Sequence, residues 1–207
     1  MIRLYRAPFS TNVERVALAL AHKGLEEVES VWISYADRSP VERVSGQSLV
    51  PVVEFDDGTA VWDSMQIVKV LEERHPAAPL YPPDFAGRAA SMRFIDWFDG
   101  VWKVAPNALA DEIAGPAPDV ARVQVLADAM AGALDVFERM LDGRPYLLGD
   151  DFSAADCAAY PFLKYALWRD PADDELFHRV LDSYQQLGDD HPRLAAWIER
   201  IDERPRV

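Results

Sequence analysis

A single cysteine, Cys157, in 207 residues leaves nothing from which to build an internal disulfide framework or a cysteine-rich metal site. Histidine is nearly as scarce. His22, His75, His178 and His191 show no ligand spacing with one another or with Cys157, so no metal is expected. No run approaches the roughly 20 apolar residues that span a bilayer, and Met1-Ile2-Arg3-Leu4 reads as the start of a strand rather than as a signal peptide. The expected location is cytoplasmic, with no membrane partner. Positive charge is also short: 21 basic against 35 acidic side chains leave a formal charge of −14, which repels nucleic acid and anionic lipid. There is no internal repeat and no low-complexity tract. What is abundant is apolar side chain, 50% of the residues, enough for a real core in one large or two small domains.

The first 75 residues alternate strand and helix signals. Ile2–Tyr5 is extended, Val13, Val16, Ala17 and Leu20 recur at helical spacing up to Gly24, and Val28–Ile33 is extended again, a βαβ unit. A loop or short helix through Pro40–Ser48 follows. Val52-Val53-Glu54-Phe55 and Ala60-Val61-Trp62, joined at Asp57-Gly58, then predict an antiparallel hairpin, and Ile67, Val68 and Leu71 a closing helix stopped at His75-Pro76. The expected unit is a small mixed sheet with helices on its faces, spanning residues 1–75. Pro76, Pro79, Pro82, Pro83 and Gly87 mark residues 76–87 as a linker. Residues 88–207 read as all helical. One pattern runs from Arg88 to about Ala114 and a second from Asp119 to Asp142. A third opens at Ser153 and Asp156, which have the spacing of a capping box, with Pro161 implying a kink or a late start. Final helices are expected over Asp173–Gln185 and Pro192–Glu203.

Three short segments could carry chemistry. Val50-Pro51 lies before an apolar strand; a proline there fits a sheet edge or turn, and the neighbouring backbone N–H and C=O could pair with an extended peptide ligand. Asp63-Ser64 heads a helix, where a hydroxyl and unpaired N–H groups suit a carboxylate. In Ala7-Pro8-Phe9-Ser10-Thr11-Asn12-Val13-Glu14-Arg15, the spacing of Thr11 and Glu14 predicts a capping box with Thr11 as N-cap. Ser10 would then sit just outside the helix, its hydroxyl able to donate to an anion such as a thiolate. A free thiol has a pKa of about 8.5, and each unit of lowering needs about 1.4 kcal/mol. One hydroxyl bond to a charged acceptor, roughly 1.5–3 kcal/mol, would lower it by one or two units. Read alone, Ser-Thr-Asn before a helix is an ordinary start signal. Its conjunction with the other two segments favours a site.

These segments, with Trp62-Asp63-Ser64-Met65-Gln66-Ile67 and Phe152-Ser153-Ala154-Ala155-Asp156, give the chain its resemblance to the soluble glutathione transferases, over nearly its whole length. The resemblance implies a thioredoxin-like α/β domain followed by an all-helical domain, glutathione as co-substrate and a homodimer. Ser10 resembles the activating serine of the serine-type classes, nearest the phi, tau and zeta pattern. Val50, before a cis Pro51, would pair through its backbone with the cysteinyl part of glutathione; Ser64 would meet the γ-glutamyl carboxylate and Asp63 its ammonium. Asp63 stands where the family usually has Glu. Ser45-Gly46-Gln47-Ser48-Leu49 replaces the family's common asparagine-proline-x-glycine-lysine run, so Leu49 lacks the polar side chain often found there. Arg38 is the nearest basic candidate for the glycine end; its other reading is a solvated arginine. Phe9, Trp102 and Tyr165 would line the electrophile pocket, although Phe94, Trp97, Phe98 and Trp102 together also fit a core or dimer contact.

The implied reaction is attack of the glutathione thiolate on a small hydrophobic electrophile. Two rivals stand beside it: a glutathione-dependent isomerase of the zeta kind, and a non-catalytic ligand carrier or scaffold. Another low-molecular-weight thiol is a fourth reading. Cys157, inside an apolar helix, reads as a small buried hydrophobe. Asp96 and Asp99 read as solvated, and His22 as complementing a helix end.

Overall fold

The computed structural model describes residues 1–34 and 36–207, which divide into two compact units: Met1–Pro83 with Arg204–Val207, and Asp84–Glu203. The first unit is built from β1 (Ile2–Arg6), α1 (Thr11–His22), β2 (Val28–Trp32), α2 (Ser39–Ser45), β3 (Val52–Phe55), β4 (Ala60–Trp62) and α3 (Ser64–Arg74). The strand order is β2-β1-β3-β4, with β1 and β2 parallel and the other neighbours antiparallel. This is the small mixed sheet that the alternating pattern predicts. Alternation also sorts the side chains by face. Tyr5, Ile33 and Val52 pack with Val41 of α2, while Val53 and Phe55 fall on the opposite face, where α3 lies and packs against α1.

Register then decides where the loops go. Tyr5 pairs with Val52, and Val52 with Trp62. One row of the sheet therefore ends at three exits: residues 7–10 after β1, residues 50–51 before β3, and residues 63–64 after β4. All three candidate segments meet at one sheet edge.

The second unit contains α4 (Phe85–Trp97), α5 (Val104–Ala114), α6 (Val120–Met140), α7 (Ala154–Leu163), α8 (Leu176–Tyr184) and α9 (Pro192–Asp202). The single pattern read from Arg88 to Ala114 is in fact two helices joined by a π-helical turn at Phe98–Trp102. Phe98 and Trp102 stack at 4.5 Å and meet Phe137 and Phe162 edge-on, so the turn is fixed by aromatic packing. The capping box of α7 is present as expected. Asp156 accepts from the backbone and hydroxyl of Ser153 at 2.9 and 2.8 Å, and from Leu147 N–H and the Trp197 indole at 3.0 and 2.8 Å. Pro161 lies inside α7, whose start is not delayed, and α8 begins at Leu176, three residues later than its expected start. No described helix is long and apolar enough to cross a membrane.

Candidate functional site

Phe9 adopts φ +57°, a left-handed turn that brings Ser10, rather than Thr11, to the head of α1. The expected capping box is therefore corrected. Ser10 is the N-cap: its Oγ accepts from the Val13 N–H at 3.3 Å and its carbonyl from the Glu14 N–H at 3.0 Å. Thr11 is the first helical residue and is buried, and the Glu14 carboxylate turns instead to the Arg206 guanidinium at 3.3 Å. The correction changes the chemistry of Ser10. With a lone pair engaged by a backbone N–H, the hydroxyl keeps its hydrogen to donate to an anion at the positive end of the helix.

On the neighbouring exit the Val50-Pro51 bond is cis, and Val50 packs beneath against Tyr5, Ile33, Val41 and Val52. Among the described residues, no hydrogen bond occupies the Val50 backbone N–H or C=O. The loop before it is closed on itself. The Gln47 amide donates to Ser45 Oγ at 2.8 Å and to the Leu49 carbonyl at 3.0 Å, and its oxygen accepts the Leu49 N–H at 2.6 Å. Leu49 is left 72% exposed.

At the third exit Asp63 takes φ +67° and caps α3, its Oδ1 accepting from Met65 and Gln66 N–H, each at 3.0 Å. Ser64 is the first residue of α3 and is buried. Its Oγ accepts from Arg15 Nη1 at 3.3 Å, and Arg15 is itself only 1% exposed. Sequence reasoning gave Arg15 no role. The available signal was its spacing: it lies four residues after Thr11, beside Val16, on the inward face of α1.

Arg38 stands at the start of α2, after the β2 exit at the same sheet edge. Phe9 is partly exposed beside Ser10. Trp102 and Tyr165 are buried in the core of the helical unit, Trp102 in its aromatic cluster and Tyr165 with its hydroxyl donating to Asp173 at 2.8 Å. Among the described residues, no group of three or more His, Cys, Asp or Glu side chains could hold a metal.

Two family descriptions cover almost the entire chain: "Glutathione S-transferase, N-terminal domain" over residues 4–79 and "Glutathione S-transferase, C-terminal domain" over residues 86–200. The chain belongs to the glutathione S-transferase family. Glutathione S-transferase L3 of Arabidopsis thaliana is 28% identical over 206 residues, covering 97% of this chain and 78% of the relative. Glutathione S-transferase 3 of Zea mays is also 28% identical, covering 99% and 90%. Among solved structures, a glutathione S-transferase of Methylobacterium radiotolerans in complex with glutathione sulfonate is 29% identical, with a TM-score of 0.74 and coverage of 99% and 91%. A tau-class glutathione S-transferase of Mangifera indica, 20% identical with a TM-score of 0.78 and coverage of 99% and 89%, shares the fold. The glutathione S-transferase fold accounts for the mixed sheet, the helical second unit and their order along the chain.

Proposed function

We propose that this glutathione S-transferase family member binds glutathione at the edge formed by Ser10, Val50-Pro51 and Asp63-Ser64, and transfers its thiolate to a small hydrophobic electrophile. Ser10 donates its hydroxyl hydrogen to the thiolate; it forms no covalent bond. Val50 pairs with the cysteinyl backbone, Ser64 meets the γ-glutamyl carboxylate and Asp63 faces its ammonium through the carboxylate oxygen not spent on the cap. Arg38 is the proposed contact for the glycine end, and Phe9 is the exposed ring that the electrophile meets. The reading extends to a cytoplasmic homodimer.

The observation that carries the proposal is the capping geometry of Ser10, which leaves a donor at a helix N-terminus in the same row as two further polar exits. That geometry also decides the test. An alanine at the cap costs about 1 kcal/mol of stability, whereas glycine costs only a few tenths, and both lose the hydroxyl. Ser10→Ala and Ser10→Gly should therefore lose turnover equally, by about tenfold or more, while glutathione binding stays within a few-fold. The midpoint of the bound thiolate's titration, followed by its ultraviolet absorbance, should move to higher pH in both. Unchanged turnover with a model electrophile would remove Ser10 from the mechanism, and a product of unchanged mass would point to isomerisation.

A further inference from the structure

Trp32 is the last residue of β2, the edge strand of the sheet, and it pairs with Arg6 at the end of β1. Val31 and Ile33 lie on the side of α2, so alternation turns Trp32 and Arg6 together to the face where α1 lies. Trp32 is left 60% exposed. A lone exposed apolar side chain is ordinary, but this one borders a cleft of about 180 Å³ inside the first unit. Ala7, Pro8, Phe9 and Val13 give that cleft its other apolar walls, and Ser10 is among them. A cavity of about 150 Å³ holds a benzene ring, so this one has room for a single substituted ring.

The charged groups around the cleft are already engaged. Arg6 Nη1 donates to the Ser30 hydroxyl at 3.2 Å and to the Val207 carbonyl oxygen at 2.8 Å, while Arg206 donates to Glu14 at 3.3 Å and to the Arg204 carbonyl at 2.6 Å. Arg6 Nε–H has no acceptor among the described residues, but it is buried and so out of a ligand's reach. What the cleft offers a ligand is therefore ring face and aliphatic surface. The Arg6 guanidinium, anchored at Ser30 and Val207, lies 4.8 Å from the centre of the Trp32 ring. An indole steadied in this way keeps its orientation before a ligand arrives, which lowers the ordering cost of stacking on it. Phe9, 38% exposed, supplies a second ring. Trp102 and Tyr165, at 5% and 2%, have little ring surface left to offer.

Building on the transferase reading, we infer that this cleft holds the ring of an aromatic electrophile against Trp32, which makes Trp32 a specificity-determining residue. Stacking demands a planar ring, and the volume of the cleft limits it to one. Ser10, in the same walls, keeps that ring beside the proposed thiolate.

The test uses 1-chloro-2,4-dinitrobenzene as the reactive probe and 2,4-dinitrotoluene as its unreactive counterpart. With the first, the glutathione sulfur forms a C–S bond at the ring carbon whose bond to chlorine breaks, and chloride leaves with the electron pair. Trp32→Leu keeps apolar bulk and removes the ring face; Trp32→Phe keeps a ring. Trp32→Leu should raise KM for the chlorinated probe about tenfold with kcat and glutathione affinity within twofold, because stacking is shared by ground and transition states. Trp32→Phe should stay within about threefold of the unaltered protein, a rescue that a merely structural role would not give. The affinity for 2,4-dinitrotoluene, measured by calorimetry without glutathione, should follow the same order, which separates this inference from the transferase reading. Failure of 2,4-dinitrotoluene to bind, or equal binding by all three proteins, overturns the cleft assignment even where conjugation persists. Binding that is weakened in Trp32→Leu and kept in Trp32→Phe, with the chlorinated probe never conjugated, upholds the cleft and overturns the transferase.

Discussion

Arg15 shows how much one buried charge can position. Its guanidinium lies inside the first unit and donates to Ser64 Oγ, so it sets the direction in which that hydroxyl points at the head of α3. An arginine that donates to a serine oxygen leaves the serine hydrogen for another acceptor, here the proposed γ-glutamyl carboxylate. Arg15→Leu keeps an apolar stem of useful length and removes the donor. The bond acts through a neutral hydroxyl and is worth about 1 kcal/mol, so glutathione affinity should fall about fivefold. The thiolate titration should not move, because Ser10 belongs to a different exit of the sheet. Calorimetry and ultraviolet titration of the same variant check the two halves; a shifted thiolate titration would mean that Arg15 acts on the sulfur and not on Ser64.

At the scale of elements, the ends of α1 and α3 are joined by a buried pair. Lys23 Nζ donates to Glu72 Oε2 at 2.7 Å and to the His75 carbonyl at 2.8 Å, with longer bonds to Ala77 and Ala78, and the same Glu72 oxygen accepts the Leu80 N–H at 3.0 Å. The pair holds both helices and the proline-rich segment after α3. Lys23→Met should destabilise the protein by about 3–5 kcal/mol in denaturant unfolding, because it strands a buried carboxylate. Adding Glu72→Leu should recover part of the loss; a double variant no more stable than the single would show that the contacts to backbone, and not the charge pairing, carry the effect. Neither residue announces itself in the sequence, because the burial of a charged side chain depends on what packs over it. The strands and helices themselves were legible, because periods of two and 3.6 follow directly from which face is buried. So were Val50-Pro51 and Asp63-Ser64, whose positions follow from turn chemistry. What pattern could not resolve was the cap at Ser10, which depends on the left-handed turn at Phe9, and the break at Phe98–Trp102, because apolar spacing continues unbroken through a π-helical turn. The late start of α8 has the same origin: the Asp173 carboxylate is drawn inward by Tyr165 and His178 instead of opening the helix.

For the whole molecule, the informative feature is that Arg204–Val207 return to the first unit after the helical unit is complete. They run along α1 to the end of β1 in three steps: Arg204 donates to His22 Nδ1 at 2.9 Å, Arg206 meets Glu14, and Val207 accepts from Arg6 of β1. The first step requires a His22 ring without a proton on Nδ1. Burial, and then the adjoining Arg204 charge, hold His22 below the ordinary histidine value, with Lys23 adding to the lowering and the Pro79 backbone and Glu72 opposing it. The folded state thus binds this proton more weakly than the unfolded chain. The His22 contribution to stability is complete above the ordinary histidine pKa of about 6.5 and is lost as pH falls below it. Protonation also turns Nδ1 from acceptor to donor and places two cations together. The protection of the Arg204, Arg206 and Val207 amides, taken relative to their intrinsic exchange rates, should therefore fall on acidification through this range, before the strands of the sheet lose theirs. His22→Phe should remove the pH dependence of that exchange. Protection of these amides that stays flat as the pH falls below the ordinary histidine value would break the link between His22 and the strap.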